Sequence, residues 1–401
     1  MSFRLLSISS MYPGYIGSFY IKHKDTASLS YADHYRLIMS ETTEFAGSYT
    51  RNFIKLGIEA QCIISNDRTL QSKWSVENKL KSTRNSDILF KQVIAFKPDI
   101  LWIENLNFIN TEWIEKVRVW TRMIIAYHCA PYNETLIQKL KKVDFVITCT
   151  PGLKKSFEEH GLKTYLVYHG FDEDLLSRIE KNNDGFLHDL VFSGSLITGG
   201  SFHNYRLNLI ENLIREKIDM GLYLTLEAEY KIKAKKAIYA LSVLLKKLKM
   251  NGLTERFHMF DHARSRVRGY SSALLRLNHL PLYGIDMYNL FNRSKIVLNM
   301  HIGVAGNFAG NMRMFEVTGV GSCLLTDNKH NMKNLFDTDS EAVVYNNPED
   351  CLDKFQWLIE HEKERETIAR KGQIHTLKMH TVENRCNLIL DIINGKSVGM
   401  E

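Results

Sequence analysis

No run of apolar residues in this 401-residue chain approaches the ~20 that a helix needs to cross a bilayer. The six cysteines (Cys62, Cys129, Cys149, Cys323, Cys351, Cys386) form no C-x-x-C pair, and no His/Cys group has zinc spacing. Scattered through apolar runs, they read as six buried free thiols of a reducing cytosol. No signal peptide precedes Phe3, where an apolar strand starts almost at once, so a cytoplasmic protein is expected. Internal repeats and low-complexity segments are also missing. These absences exclude membrane-spanning helical, disulfide-stapled and repeat architectures.

What is present is globular: 44% hydrophobic and 24% charged residues. The length suggests two domains of about 200 residues each. A net charge of +7 and a pI near 8.9 suit an anionic partner: a nucleotide, an anionic lipid surface or a nucleic acid.

The most informative stretch runs from Arg293 to Asp327. Apolar runs of strand length, Ile296 to Met300 and Ser322 to Leu325, flank a loop with Gly303, Gly306 and Gly310 and a helical segment from Asn311 to Thr318. Strand, glycine loop, helix, strand is a βαβ pattern, in which ligands sit beyond the carboxyl ends of the strands. Loop glycines allow close approach of backbone amides, and a helix N-terminus favours an anion such as a diphosphate. Arg313 and Glu316, three apart, share a helix face. They can serve phosphate oxygens and vicinal ribose hydroxyls respectively, or form an ordinary surface pair.

Around it, strand-like and helical runs alternate. The first half offers strands at Arg4 to Ser10, then EAQCIIS, DILWIE, MIIAYH, DFVITC and TYLVYH. A loop with a Pro13–Gly14 turn and Gly17 follows the first strand, and one long helix is expected from Tyr31 to Lys55. The acidic and polar stretch FDEDLLSRIEKNNDGFLHD breaks the rhythm and reads as a linker. LVFSGSL then restarts an α/β pattern. Recurring strands with helices between them call for parallel sheets covered on both faces.

Several groups carry candidate chemistry. Ser193, Gly194 and Ser195 form a small-residue turn at a strand end, fit for a phosphate; His203, Asn204 and Arg206 follow, as phosphate contacts or as a capped helix start. His128 ends the MIIAYH strand and is either a base facing the cleft or a structural histidine, and His169 is a similar case. Glu41 and Glu44 lie three apart, so either is a candidate carboxylate base or simply solvated. Asp172-Glu-Asp174 and Asp337-Thr-Asp339 read as acidic turns. Lys231 to Lys249 holds no acid and interleaves lysines with leucines, as in a helix lying on a membrane surface or one packed on its own domain. With Arg264, Arg266 and Arg268 the same run raises a nucleic-acid reading, which the shortage of interleaved aromatics argues against.

NMRMFEVTGVGSCLLTD, with NRSKIVLNMHI before it, resembles the C-terminal domain of group-1, CgeB-like bacterial glycosyltransferases of the GT-B superfamily. DLVFSGSL, KPDILWIENL and the run from CAPYNETL to VYHGFD extend the resemblance over nearly the whole chain. It implies an α/β GT-B fold with two Rossmann-like domains facing each other across a cleft. The expected division is an acceptor-binding domain over 1–172, a linker over 173–189, a nucleotide-sugar domain over 190–380, and a helical segment over 381–401 packing back on the first domain.

The resemblance further implies metal-independent transfer from a nucleotide-diphosphate sugar, with no cofactor, to a glycan or lipid-linked acceptor in surface polysaccharide or glycoconjugate synthesis. Peripheral contact with the inner membrane would run through Lys231–Lys249, and nucleic acid would not be a partner. Glu316 would hold the donor ribose, Asn311 and Arg313 the diphosphate beside Ser193–Ser195, and His128 would face the sugar. Many retaining relatives carry a second glutamate eight residues before the ribose-binding one; here that position is Phe308, which leaves retention or inversion open. It also keeps a noncatalytic nucleotide-sugar-binding protein in view.

Overall fold

The computed structural model describes residues 3–43, 45–180, 185–198, 201–248, 266–301, 303 and 306–396, with 201–203 through their backbone alone. Two six-stranded sheets, all parallel, make up the core, as the alternating pattern predicts.

The first sheet contains β1 (Arg4–Ser9), β2 (Glu59–Ile64), β3 (Ile100–Ile103), β4 (Met123–Tyr127), β5 (Phe145–Thr148) and β6 (Thr164–Leu166), in the order β2-β1-β3-β4-β5-β6. Side chains alternate between faces: in β3, Leu101 and Ile103 join one core while Ile100 and Trp102 join the other. Helices Asn85–Phe96, Thr111–Arg118, Glu134–Leu140 and Pro151–Glu159 cover the first face. Helix Phe45–Lys55 covers the second, together with the chain's final helix, Val382–Ile393, through Val382, Cys386, Ile389 and Ile392. Each fully buried side chain of this size contributes about 2–3 kcal/mol.

The second sheet contains β7 (His188–Leu196), β8 (Met220–Leu226), β9 (Asn278–His279), β10 (Ser294–Asn299), β11 (Cys323–Asp327) and β12 (Val343–Tyr345), in the order β12-β11-β10-β7-β8-β9. Helices Ser201–Arg215 and Pro348–Glu360 pack on one face, and Ile285–Asn292 and Met312–Gly319 on the other.

Three local expectations give way. Pro13 opens a helix, Pro13–Lys22, in place of a turn, because a proline needs no backbone partner in a first helical turn. The long helix splits into Tyr31–Glu41 and Phe45–Lys55 at Thr42–Thr43, both buried β-branched residues, where Arg51 donates to the carbonyls of Met39 and Thr42 at 3.1 and 3.0 Å. The cysteines are not all free. β4 and β5 pair Tyr127 with Ile147, so two residues further on Cys129 stands opposite Cys149, Cα atoms 5.7 Å apart, and the two are joined by a disulfide. Neighbouring parallel strands brought them together, which sequence spacing cannot show. Cys62, Cys323, Cys351 and Cys386 are free and buried.

The chain passes between the sheets twice, and the two passages pair. Phe171 N–H donates to the carbonyl of His380 at 2.8 Å, and Val382 N–H to that of Phe171 at 2.9 Å. The first passage is anchored at its start: Asp172 accepts from Arg51 at 2.7 Å and from Asn52 at 3.3 Å, and Asp174 pairs with Lys55. Arg385 ties the second passage down by donating to the carbonyl of His169 (3.0 Å) and to His380 Nδ1 (2.6 Å), while His380 Nε2 donates to Leu335 (2.9 Å).

Burial, aided by the Arg385 charge, pushes His169 and His380 each down to about 3. Unfolded imidazoles take up a proton near pH 6.5, so stability from these sites is complete above that pH and falls as the pH drops toward 3. The urea midpoint should follow this slope between pH 6.5 and 4. H380N should start lower at neutral pH but fall less steeply; an unchanged slope would remove His380 from the account.

Candidate functional site

In the second sheet the chain leaves β7 for β8 on one side and later returns to β10 on the other, so a crevice opens beyond the carboxyl ends of β7 and β10. Most of the described candidate residues lie around it.

Ser193, Gly194 and Ser195 belong to β7 itself, paired with Tyr223, Leu224 and Thr225 of β8, and do not form a turn. Arg206, on helix Ser201–Arg215, is buried with its guanidinium across the crevice floor. It donates to the carbonyls of Ser195 and Met300, each at 2.9 Å, and lies 5.6 Å over the Phe192 ring. Burial pushes its pKa down to about 10, which leaves it charged at neutral pH. It links the ends of two strands and so positions the crevice walls.

Helix Met312–Gly319 starts at Asn311, whose side chain makes no capping bond to the helix; it donates to Asn299 Oδ1 at 2.7 Å instead. Asn299 in turn donates to Thr326 at 2.9 Å. The helix N-terminus therefore lacks a side-chain cap of its own. In the helix's first turn, Arg313 pairs with Glu316 at 2.8 Å and reaches the Ser193 carbonyl at 3.5 Å, its guanidinium 4.6 Å over the Phe291 ring. Glu316 is buried and also accepts from Tyr288 at 3.3 Å. Burial and then the Glu316 charge hold the Tyr288 hydroxyl well above its usual pKa.

Two residues that spacing did not single out complete the wall. His301, just past β10, meets Asp327 at the end of β11: its backbone N–H and its Nδ1 both reach Asp327 Oδ1 at 2.8 Å. Burial works against the Asp327 charge, but the His301 bonds and Lys329 at 3.0 Å outweigh it and hold the carboxyl below its ordinary value. Position just beyond an apolar strand was their one sequence signal.

Other candidates stand apart. His128 lies in the first sheet's lobe, its Nε2 donating to the Ala130 carbonyl at 2.9 Å and its ring beside Phe157. Glu44, the side chain of His203, and Ile302, Val304 and Ala305 of the glycine loop lie outside the described residues. So do Gly199, Gly200, Lys249 and Arg264. Glu41 pairs with Lys22 and His23 at the surface. Asp337 and Asp339 serve a turn and Lys354. Cys129, Cys149 and His169 are the grouping of metal-ligating types found among the described residues, and the two sulfurs are bonded to each other.

Replacing Arg206 with alanine removes its donors from the buried Met300 carbonyl and the part-buried Ser195 carbonyl. It should lower unfolding stability by about 2–4 kcal/mol in urea titrations. A loss under about 0.5 kcal/mol would show that the carbonyls find other partners.

Residues 243–391 match the family model described as glycosyl transferase-like. No curated protein matches the chain in sequence. Solved structures match throughout. Anabaena HepE in complex with UDP-glucose shares 10% identity over 98% of this chain and 100% of its own, with a TM-score of 0.56. An alpha-glucosyltransferase in complex with UDP-glucose and DNA containing an abasic site shares 12% over 98% and 100%, at 0.57. Sucrose-phosphate synthase from Thermosynechococcus elongatus shares 7% over 98% of each chain, at 0.55. The chain has the GT-B fold, two Rossmann-like lobes each carrying a parallel sheet, and the glycosyl transferase-like match begins in the second lobe and runs into the helix Val382–Ile393 that packs on the first.

Proposed function

We infer that this protein transfers a sugar from a nucleotide-diphosphate donor to a hydroxyl of a glycan or glycolipid, in the cytoplasm, for bacterial surface polysaccharide or glycoconjugate synthesis. The observation that carries the reading is the Arg313–Glu316 pair beside a helix N-terminus at the β7/β10 crevice. The glycosyl transferase-like match over the same segment supports it, as do neighbours bound to UDP-glucose.

Glu316 offers carboxylate oxygens to the two vicinal hydroxyls of a ribose. Arg313 and the helix N-terminus supply positive charge to the diphosphate as it leaves. Their charge takes the part that a divalent cation plays elsewhere, so transfer in a chelator should proceed at the untreated rate.

Glu316→Gln keeps the shape and gives up charge-assisted bonds, so nucleotide affinity should fall roughly 10- to 100-fold by calorimetry. Unaltered affinity would count against the site. A noncatalytic sugar-nucleotide binder would match the wild type in this assay yet release no free nucleotide when given acceptors.

A lipid-linked acceptor gains support from helix Glu229–Lys247. Tyr230, Leu241 and Leu244 are exposed on one face, with Leu248 just beyond, while Ile232 and Ser242 turn inward. Lys231, Lys233, Lys236 and Lys247 flank that apolar stripe, the arrangement of a helix resting on an anionic bilayer. No described helix is long and apolar enough to cross one. The wild type should sediment with vesicles rich in anionic lipid and be released by salt. The double variant L241E/L244E should stay in solution, and equal sedimentation of both would dismiss the contact.

A further inference from the structure

The inference that follows rests on sugar transfer as the activity and adds the group that receives the acceptor's proton. The first sheet has a switch point of its own: the chain leaves β1 for β2 on one side and returns to β3 on the other. Ser9 and Ser10 stand at the carboxyl end of β1, and Glu104 directly follows β3.

Glu104 leans across this gap. Its Oε2 accepts from Ser9 Oγ at 2.5 Å and from the Ser10 backbone N–H at 3.0 Å. The backbone beneath is fixed: Glu104 N–H donates to the Ile8 carbonyl at 2.9 Å, and the Asn105 side chain donates to Ser65 Oγ, beyond β2, at 3.2 Å. Oε1 accepts no bond from a described residue, and Glu104 as a residue is only partly buried. No described lysine, arginine or histidine pairs with the carboxylate. Burial raises its pKa, and the bonds from Ser9 and Ser10 offset this only in part.

The two lobes touch on either side of it. Past β1, Gly14 lies against the ring of Tyr283, and past β5 the carbonyl of Cys149 lies against Gly310, with no room for a Cβ at either glycine. β3 and β4 lie between these contacts, so their ends open into the space between the lobes. Other groups on this rim are already committed. His128 Nε2 donates to a loop carbonyl, Cys129 is bonded to Cys149, and His169 is held against Tyr127 and Arg385. Closing the β1 loop would need only a neutral oxygen at Oε2. A half-buried carboxylate without a cation is a costly way to supply one.

We propose that Glu104 is the general base of the transfer. Its Oε1 takes the proton of the acceptor hydroxyl as that oxygen attacks the anomeric carbon. The new C–O bond forms while the bond from the anomeric carbon to the diphosphate breaks. The diphosphate leaves with the electron pair, and the product carries the inverted configuration.

Glu104→Gln keeps an oxygen for Ser9 and Ser10 and cannot take a proton. Its kcat should fall about 100- to 10,000-fold, while the melting temperature does not fall and nucleotide affinity stays at the wild-type value. The wild-type rate should rise with pH on its acidic limb, through a pKa above that of an ordinary glutamate, and the variant should lose this limb. Glu104→Ala opens the space of a carboxylate, so added formate should recover part of its turnover. Near-wild-type kcat in E104Q, no recovery by formate, or a product of retained configuration by NMR would each overturn the assignment. Failure of the wild type to bind any nucleotide would instead overturn the transferase reading on which it rests.

Discussion

The fold depends on the short ladder formed where the two passages between lobes run side by side. A chain that crosses once leaves its lobes joined by a single strand of backbone. Here Phe171 is bonded to His380 and Val382, and the return passage delivers helix Val382–Ile393 to the core of the first lobe. Phe171 itself is enclosed in the second lobe's core against Tyr288 and Gly319, where its ring leaves no space for a Cβ. Tyr288 is also the residue that donates to Glu316. The crossing and the Glu316 carboxylate are thus separated by one tyrosine. The seam at the crossing is polar but satisfied, since Arg385 and His380 divide three carbonyls and one imidazole nitrogen between them.

Each lobe then repeats one piece of topology. A parallel sheet whose chain switches sides opens a crevice at the ends of two strands, and strand ends display single residues with fixed backbone. In the second lobe that place collects cationic and hydrogen-bonding groups: Arg206, Arg313, His301 and Asn299. In the first it collects hydroxyls and a carboxylate, Ser9, Ser10 and Glu104.

The sequence carried the sheets well, because buried parallel strands leave short continuous apolar runs that composition alone reveals. RLLSIS, DILWIE and MIIAYH each fall on a strand of the first sheet. Finer features were hidden for specific reasons. Pro13–Gly14 looks like a turn until Pro13 is seen in the first turn of a helix. Tyr31 to Lys55 keeps a helical period through the break at Thr42–Thr43. Cys129 and Cys149 lie 20 residues apart in sequence and opposite each other in space. The Arg313–Glu316 pair was legible because two residues at helical spacing make a pattern. Glu104, His301 and Asp327 were not, since one polar residue after an apolar run makes none.

The missing second glutamate gains a structural meaning from this arrangement. Where many retaining relatives place that acid, this chain has Phe308, half-buried with its ring 5.8 Å from that of His330. The next residue is pinned, Ala309 N–H donating to Asn331 at 2.7 Å, and Asn331 donates to Tyr168 of the other lobe at 3.1 Å. An aromatic contact and a bond between lobes therefore occupy this position. Glu316 is engaged by Arg313 and Tyr288, and Asp327 by His301 and Lys329, so these two carboxylates at the second lobe's crevice are already partnered. A base must keep an oxygen free of such partners, since each bond to the ionised form weakens its pull on a proton. Among the described strand-end residues Glu104, across the gap on the first lobe, keeps one oxygen without a described partner.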